Sequence, residues 1–139
     1  MGGLTAAQQA PVDKLRPNAL SDCAGYPDGE GDDVTAAVVC SAGNEHSVQA
    51  FAFPDQAARS RDAQARGAGL SRAGRCANGD DLASTWVFNN VIQGDLICVH
   101  EQDRYAIYWT HNSDLIGFRI DDAADGTSLY SFWLGFEPI

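Results

Sequence analysis

The chain has 139 residues, which is enough for one domain with a modest core. Its 19 acidic and 9 basic residues give a net charge of −10, and this disfavours nucleic-acid binding because an acidic surface repels phosphate groups. No apolar run approaches the ~18 residues of a membrane-spanning helix. The start has no secretion signal and no myristoylation motif, so we expect membrane association only through an anchor that has been removed.

Residues 1–13 are rich in Gly, Ala and Gln and have no apolar pattern, which predicts a disordered lead or a segment added to the natural chain. Residues 14–139 are predicted to form a single disulfide-stapled domain. Near its start, residues 23–33 combine Pro, Gly and Asp at a density typical of turns and exposed loops. This loop carries the carboxylates of Asp28, Glu30, Asp32 and Asp33. Weak calcium binding is the alternative, but the EF-hand spacing is not met and no metal site is predicted.

The first half contains two predicted strands and a helix. β-Branched residues predict a strand from Val34 to Cys40, and a second strand runs from Ser47 to Phe53, where Pro54 ends it. Asp55 is a good N-cap for a helix over Gln56–Arg66. The apolar face of this helix is made of alanines, so we expect it to lie close to a sheet and to bury little area.

Arginines are concentrated in residues 55–75. They are interpreted as a solvated helix face and the loop that follows it, in preference to an anion-binding patch.

The central element of the second half is the stretch from Gly94 to Thr110. Its apolar runs at 96–99 and 105–109 flank a short polar segment, which is the signature of a β-hairpin. A short strand or extended piece is predicted before the hairpin at 82–88, and another strand is predicted after it at 115–120. The pairs Asn89-Asn90 and Gln93-Gly94 are interpreted as turns.

A last helix is predicted over residues 127–135, with Thr127 as its cap. The residues that its spacing places on one face are Leu129, Phe132, Trp133 and Phe136. This helix carries far more apolar area than the first, so we expect it to be the main cover over the sheet.

An ungapped alignment of Cys40 with Cys98 reveals a weak internal repeat. It places Val48–Phe53 on Ala106–His111, and therefore Phe51 on Trp109. The alignment predicts two pseudo-repeats, at about 20–67 and 76–136, each built on a hairpin that bears a cysteine.

The four cysteines are widely spaced, and an even number in a short chain is typical of two disulfides in an extracytoplasmic protein. Three connectivities are possible. The repeat favours Cys23–Cys40 and Cys76–Cys98, because each loop then stays within one half. In the chain-entropy model each would stabilise the fold by about 3 kcal/mol.

The sequence contains no recognisable catalytic residue, cofactor motif or metal ligand set. Cys98 and His100 lie on one face of a predicted strand, but a cysteine in a disulfide is neither a nucleophile nor a thiolate ligand. The carboxylates of Asp121, Asp122 and Asp125 form a second acidic cluster that completes no ligand set.

Aromatic residues are the remaining candidates for a binding surface. Tyr105, Tyr108 and Trp109 occupy one predicted strand, so at least one is expected to point away from the core and to contact a ligand or partner. The alternative, which we favour, is that all three fill a small core.

The chain resembles a small domain of high-GC Gram-positive bacteria. The resemblance covers about Leu15 to Phe136, and its most specific pieces are Gly94 to Thr110 and Leu129 to Trp133. This domain forms the extracytoplasmic part of membrane-anchored serine/threonine protein kinases and also occurs in related secreted or lipid-anchored proteins. The resemblance implies a sensor or binding role outside the membrane without catalysis.

The residues and the resemblance together predict an α+β domain of two pseudo-repeats. Its antiparallel sheet is expected to be covered mainly on one face by helices at about 55–67 and 127–135. The expected function is recognition of a small molecule, a cell-wall fragment or a protein partner. A secreted enzyme or an enzyme inhibitor is the alternative.

Overall fold

A computed structural model describes residues 6–13, 15, 21–25, 34–41, 47–71, 74–101, 104–112, 114–123, 129–130 and 133. Within them lie two α-helices, α1 (Ala6–Val12) and α2 (Gln56–Arg66), and a 3-10 turn at Cys76–Asn78. The strands are β1 (Ser21–Gly25), β2 (Ala36–Ser41), β3 (Ser47–Ala52), β4 (Leu82–Phe88), β5 (Val91–Glu101), β6 (Arg104–His111) and β7 (Ile116–Ala123). No helix in these ranges is long and apolar enough to cross a membrane.

The strands form one antiparallel sheet in the order β1-β2-β3-β7-β6-β5-β4. Two meanders therefore meet where β3 pairs with β7. The α+β fold class is confirmed, with strands dominating. The strand and helix bounds at 82–88 and 56–66 match the predictions, and Asp55 caps α2 by accepting a hydrogen bond from the Ala58 amide at 2.8 Å.

Both predicted disulfides are present, Cys23–Cys40 and Cys76–Cys98. Each ties an edge region to the neighbouring strand within one half of the chain. Two disulfides are typical of proteins in an oxidising, extracytoplasmic environment. Cys40 and Cys98 also belong to one continuous row of paired residues, because Cys40 is opposite Val48 and Cys98 is opposite Ile107, and Ile120 joins the two pairs.

The sheet is buried on both faces, which differs from the one-sided cover expected from the sequence. One face, here called the disulfide face, carries both disulfides and packs against Leu129 and Trp133. The other face, the α2 face, packs against Ala58 and Ala63 of α2. Successive residues of the central strands are apolar, so both faces of the sheet must be shielded from water. Accordingly, α2 packs on one face and the C-terminal segment on the other.

Residues assigned to a disordered lead instead include helix α1. This segment has no long apolar pattern, but Ala and Gln have high helix propensity, so it can form a helix. Val12 anchors the end of the helix on the disulfide face. Gln8 lies so close to Gly25 that a Cβ at Gly25 would fall 2.6 Å from its side-chain nitrogen, and α1 also contacts β2 and β3 on this face.

The predicted equivalence of Phe51 and Trp109 is wrong. Both segments form antiparallel hairpins, but Cys40 pairs with Val48, whereas Cys98 pairs with Ile107, one position beyond the residue that the ungapped alignment requires. A shift of one residue moves a side chain to the other face of a sheet. Phe51 accordingly packs on the α2 face and Trp109 on the disulfide face.

One predicted turn is correct and one is wrong. Asn89 and Asn90 form the two-residue turn between β4 and β5, both with positive φ (53° and 63°), as a type I′ hairpin requires. Gln93-Gly94 instead lies inside β5, at an irregularity in the pairing with β4. Gly94 is needed there because any Cβ would collide with the carbonyl of Thr110.

The predicted loop at 23–33 is also corrected at its start, since Cys23–Gly25 belong to β1 and are held there by the disulfide. In the predicted last helix, Leu129, Tyr130 and Trp133 are helical. Phe132 and Phe136 lie outside the described residues.

Leu129→Ala should lower the free energy of unfolding by about 2–5 kcal/mol, since Leu129 is fully buried on the disulfide face and truncation leaves a cavity. Chemical denaturation of the oxidised protein measures the change. Val87→Ala, at an exposed position, is the control and should change stability by no more than about 0.5 kcal/mol. Equal effects of the two substitutions would show that the C-terminal segment does not cover this face.

Candidate functional site

The three aromatic residues predicted as contacts are buried. Tyr105, Tyr108 and Trp109 expose 0%, 3% and 2% of their surface. Because both faces of the sheet are covered, a side chain that points away from one core enters the other. The prediction that one of them is exposed is wrong, and the alternative that all three fill the core is confirmed.

Trp109 belongs to an aromatic cluster on the disulfide face. Its ring stacks on Phe118 at 5.3 Å between centroids and meets Trp133 edge-on at 6.0 Å. Trp133 is only partly buried and also packs on Trp86 and Tyr130, at 6.1 and 5.6 Å. Pairs in these geometries stabilise beyond their buried area, so this cluster fixes the C-terminal segment on the sheet.

Tyr105 lies at the other end of the same face. Its hydroxyl donates a hydrogen bond of 2.6 Å to the Asp80 carbonyl, and its ring meets His100 edge-on. Burial, together with the charges of Asp81 and Asp80, raises the pKa of Tyr105 to about 12. Tyr105 therefore remains a hydrogen-bond donor and holds the segment that leads into β4.

A polar network lies beneath α2, where the sequence suggested only alanines. The buried carboxylate of Asp62 accepts a hydrogen bond from the Tyr108 hydroxyl at 2.6 Å and another from Nε of Arg66 at 2.8 Å. The Arg66 guanidinium lies 4.5 Å from the Tyr108 ring centre and 4.6 Å from that of Phe51. Burial, followed by the charge of Asp62, raises the pKa of Tyr108 far above its usual value, so the hydroxyl keeps its proton.

A second, part-buried pair continues this network toward β5. Nη1 of Arg59 lies 2.8 Å from the Asp95 carboxylate, and the Thr110 hydroxyl, at 3.2 Å, donates to the same oxygen. Thr110 also accepts a hydrogen bond from the Asp95 amide. The arginines of α2 are thus only partly a solvated face: Arg59 and Arg66 point to the sheet. Alternating charge at helical spacing, Arg59, Asp62 and Arg66, was the sequence signal for this inward polar stripe.

A cleft of about 300 Å³ opens between α2 and the β4–β5 edge. Ser60, Gln64, Ala83 and Asp95 contribute to its walls. Among the described residues that line it, Asp95 is the one titratable group, and Arg59 already neutralises it. The described walls of the cleft can accept hydrogen bonds from a small ligand, and they include no paired acid and base.

His46 lies outside the described residues. The other two histidines are apart, because His100 pairs with Tyr105 near the start of β6 and His111 lies at the end of β6. Nδ1 of His100 is 2.7 Å from the Asp81 carboxylate. His111 is enclosed by Trp86 and Phe118, at 5.0 and 5.5 Å between ring centroids.

His111 carries a buried Nε2 without a hydrogen-bond partner in the described chain. Burial lowers its pKa to about 4, with the Asp114 charge opposing the shift.

The acidic clusters do not form a metal site in the described residues. The carboxylates at 28–33 and that of Asp125 lie outside those residues, as does the Asp122 side chain. Asp121 is bound by Arg104 and Arg119, at 2.8 and 2.6 Å. Burial acts to raise its pKa, but the hydrogen bonds and charges of these two arginines outweigh burial and lower it.

The feature that sequence reasoning missed is the tip of the β4–β5 hairpin. Four large apolar side chains there, those of Val87, Phe88, Val91 and Ile92, are 55%, 57%, 58% and 57% exposed. Paired residues share a face, so Phe88 and Val91 lie on one side of the hairpin, whereas Val87 and Ile92 lie on the other. The tip is therefore apolar on both sides. The signal was present in the sequence, because no charged residue occurs between Leu82 and Gly94.

Comparison of the chain with models of protein families, with curated proteins and with solved structures finds no match.

Tyr108→Phe should lower the free energy of unfolding by about 1.5–3 kcal/mol, because it removes a donor from the buried Asp62 carboxylate. Tyr105→Phe is the matched control, since its hydroxyl binds a neutral carbonyl and its loss should cost about 0.5–1.5 kcal/mol. Urea denaturation of both variants gives the comparison. A smaller loss for Tyr108→Phe than for Tyr105→Phe would contradict the network.

Stability should fall as the pH is lowered from about 6.5 to about 4. In this window the folded protein keeps His111 neutral, whereas the unfolded chain binds a proton at its ordinary pKa of 6.5. The loss is on the order of 2–3 kcal/mol at the lower end. His111→Phe removes the titrating group, so its unfolding free energy, measured in urea across the same window, should fall less steeply. Parallel pH profiles for the two proteins would contradict a buried, neutral His111.

Proposed function

We propose that this protein is a non-catalytic recognition domain that works outside the cytoplasm and contacts a protein partner through the tip of the β4–β5 hairpin. The observation that carries the proposal is the exposure of Val87, Phe88, Val91 and Ile92 on both sides of one protruding hairpin. Exposed apolar residues that occur singly need no explanation, but a contiguous group marks an interaction site.

The energetics favour a buried tip. Fully burying a large apolar side chain stabilises by about 1.5–3 kcal/mol, so covering the exposed halves of four would contribute on the order of 3–6 kcal/mol. Phe88 is the natural anchor, because aromatic residues at the centre of an interface often dominate its energy. A partner with an apolar groove can contact both sides of the hairpin at once.

The two disulfides support a location outside the cytoplasm, and the resemblance to sensor-type domains supports a role in recognition. A sensor-type domain of a membrane-anchored kinase, or of a secreted or lipid-anchored relative, needs a rigid recognition surface rather than an acid–base pair. The two disulfides hold each edge region of the sheet to its neighbour, so the hairpin projects from a fixed base. Among the described residues that line the cleft, the one carboxylate is ion-paired, which favours recognition over hydrolysis as the activity of the domain.

Nuclear magnetic resonance can test the assignment on the oxidised, ¹⁵N-labelled domain. We expect envelope proteins of the source organism to perturb amides of residues 85–94 and purified cell-wall fragments to leave them unchanged. Phe88→Asp should abolish the perturbation. Ala57→Asp adds the same charge at an exposed position on α2 and should retain it.

Two results would overturn the assignment. Perturbation centred on Ser60, Gln64 and Asp95 would place recognition in the cleft and favour a small molecule or wall fragment. Turnover of a hydrolase substrate that is lost on Asp95→Asn would make the protein an enzyme.

A further inference from the structure

The free edge of β4 offers backbone groups as well as side chains. β4 ends the sheet, and the Ala83 amide points outward, because it donates a hydrogen bond of 2.8 Å to the Ser71 carbonyl. Peptide groups alternate in direction along a strand, so those of Thr85 and Val87 also point outward. Neither has a hydrogen-bond partner among the described residues. Within the described part of the chain, this edge is therefore open from Thr85 to the hairpin tip.

The two edges of the sheet differ in how they are protected. β1 is a five-residue strand with an irregular register, a positive φ at Asp22 and a disulfide at Cys23. Short length, charge and bulges are the usual devices that prevent an edge from pairing with another chain. β4 has seven residues and carries neither charge nor proline. In the part of the chain that the structure describes, one edge is therefore protected, whereas the uncharged β4 edge is available for pairing.

The chain itself makes one backbone contact with the β4 edge. Ser71, in the loop after α2, supplies the carbonyl that binds the Ala83 amide. The next outward peptide groups, those of Thr85 and Val87, continue the same line toward the exposed Phe88.

We propose, on the basis of the function above, that the partner adds an extended strand to the β4 edge at Thr85–Val87, with apolar side chains at alternate positions and basic residues beside them. Backbone pairing supplies affinity in this mode, and alternate side chains supply specificity. The charge preference follows from the net charge of −10 and from exposed Asp80 and Asp81 at the start of β4. Such a segment would contact the hairpin tip with its apolar side chains and the acidic end of β4 with its basic ones.

The probe is an acetylated, amidated peptide of sequence Lys-Val-Thr-Val-Thr-Val-Lys. We expect it to bind the oxidised domain with a Kd below ~1 mM and to perturb the amides of Thr85 and Val87. The same peptide with alternate backbone nitrogens methylated keeps the side chains but loses the donors on one edge. It should bind at least tenfold more weakly, a loss of about 1.4 kcal/mol.

Val87→Pro tests the edge from the other side. Proline removes the outward amide, and the inward bonds of β4 to β5 do not use that group. It should weaken peptide binding at least tenfold, and clearly more than Val87→Thr does, because that variant keeps the amide and changes only the side chain at the tip. If Val87→Pro melts well below the wild type, its loss of binding is not informative. The comparison of methylated and unmethylated peptides on the wild-type domain then decides whether the peptide adds a strand to β4.

The outcomes separate this proposal from the function on which it rests. No peptide binding at ~1 mM, or equal binding of the methylated peptide, overturns strand addition. Loss of envelope contacts in Phe88→Asp but not in Val87→Pro means that the tip binds by side chains alone, so the function stands without strand addition. Sedimentation that shows a concentration-dependent dimer, abolished by Val87→Pro, means that a second copy fills the edge and overturns a foreign partner segment.

Discussion

The pairing of β3 with β7 is the constraint on which the rest of the structure depends. Each disulfide stays within one half of the chain, so neither crosses this junction. The two meanders become one sheet because five residues of β3 pair in register with β7. Gly117 lies in the junction opposite Phe51, where a Cβ would fall 3.0 Å from the Tyr108 hydroxyl and 3.2 Å from the Phe53 ring. The absence of a side chain there lets residues from both halves share the α2 face.

The α2 face is held by charge as much as by apolar contact. Alanines bring α2 close to the sheet, and this closeness encloses Asp62 and Arg59. A buried charge is tolerated only when it is paired and hydrogen-bonded, and here each has a partner of opposite sign and a hydroxyl from β6. Such a network specifies one position of the helix on the sheet, because sliding α2 by one turn would leave two charges unpaired. The polar network therefore has a structural role, in addition to lining the cleft between α2 and the β4–β5 edge.

Local features of the fold were predictable from the sequence, and the placement of faces was not. The cap at Asp55, the span of β4 and the Asn89-Asn90 turn follow from residues close in the chain, and the disulfide pairs follow from the division into halves. Which face a residue occupies depends on register, and the β5–β6 hairpin is offset by one residue from the alignment that the repeat suggested. Tyr108 and Trp109 show the consequence, since adjacent aromatics entered two separate cores. The arginines of α2 were misplaced for a related reason: a charged stripe is indistinguishable from a solvated one until its partners, Asp95 and Tyr108, are known from the fold.

The hairpin tip is the place where local and global preferences disagree. Its asparagine turn and β-branched strands form a hairpin for local reasons, but nothing in the described chain covers its apolar side chains. The acidic character of the protein explains how it can expose such a tip without associating unspecifically. The net charge keeps copies of the domain apart over about a Debye length, roughly 8 Å at physiological ionic strength, and this opposes unspecific association. The uncharged stretch from Leu82 to Gly94 then remains accessible to a partner that fits its shape and carries charge of the opposite sign. Solubility and recognition are therefore compatible on one surface.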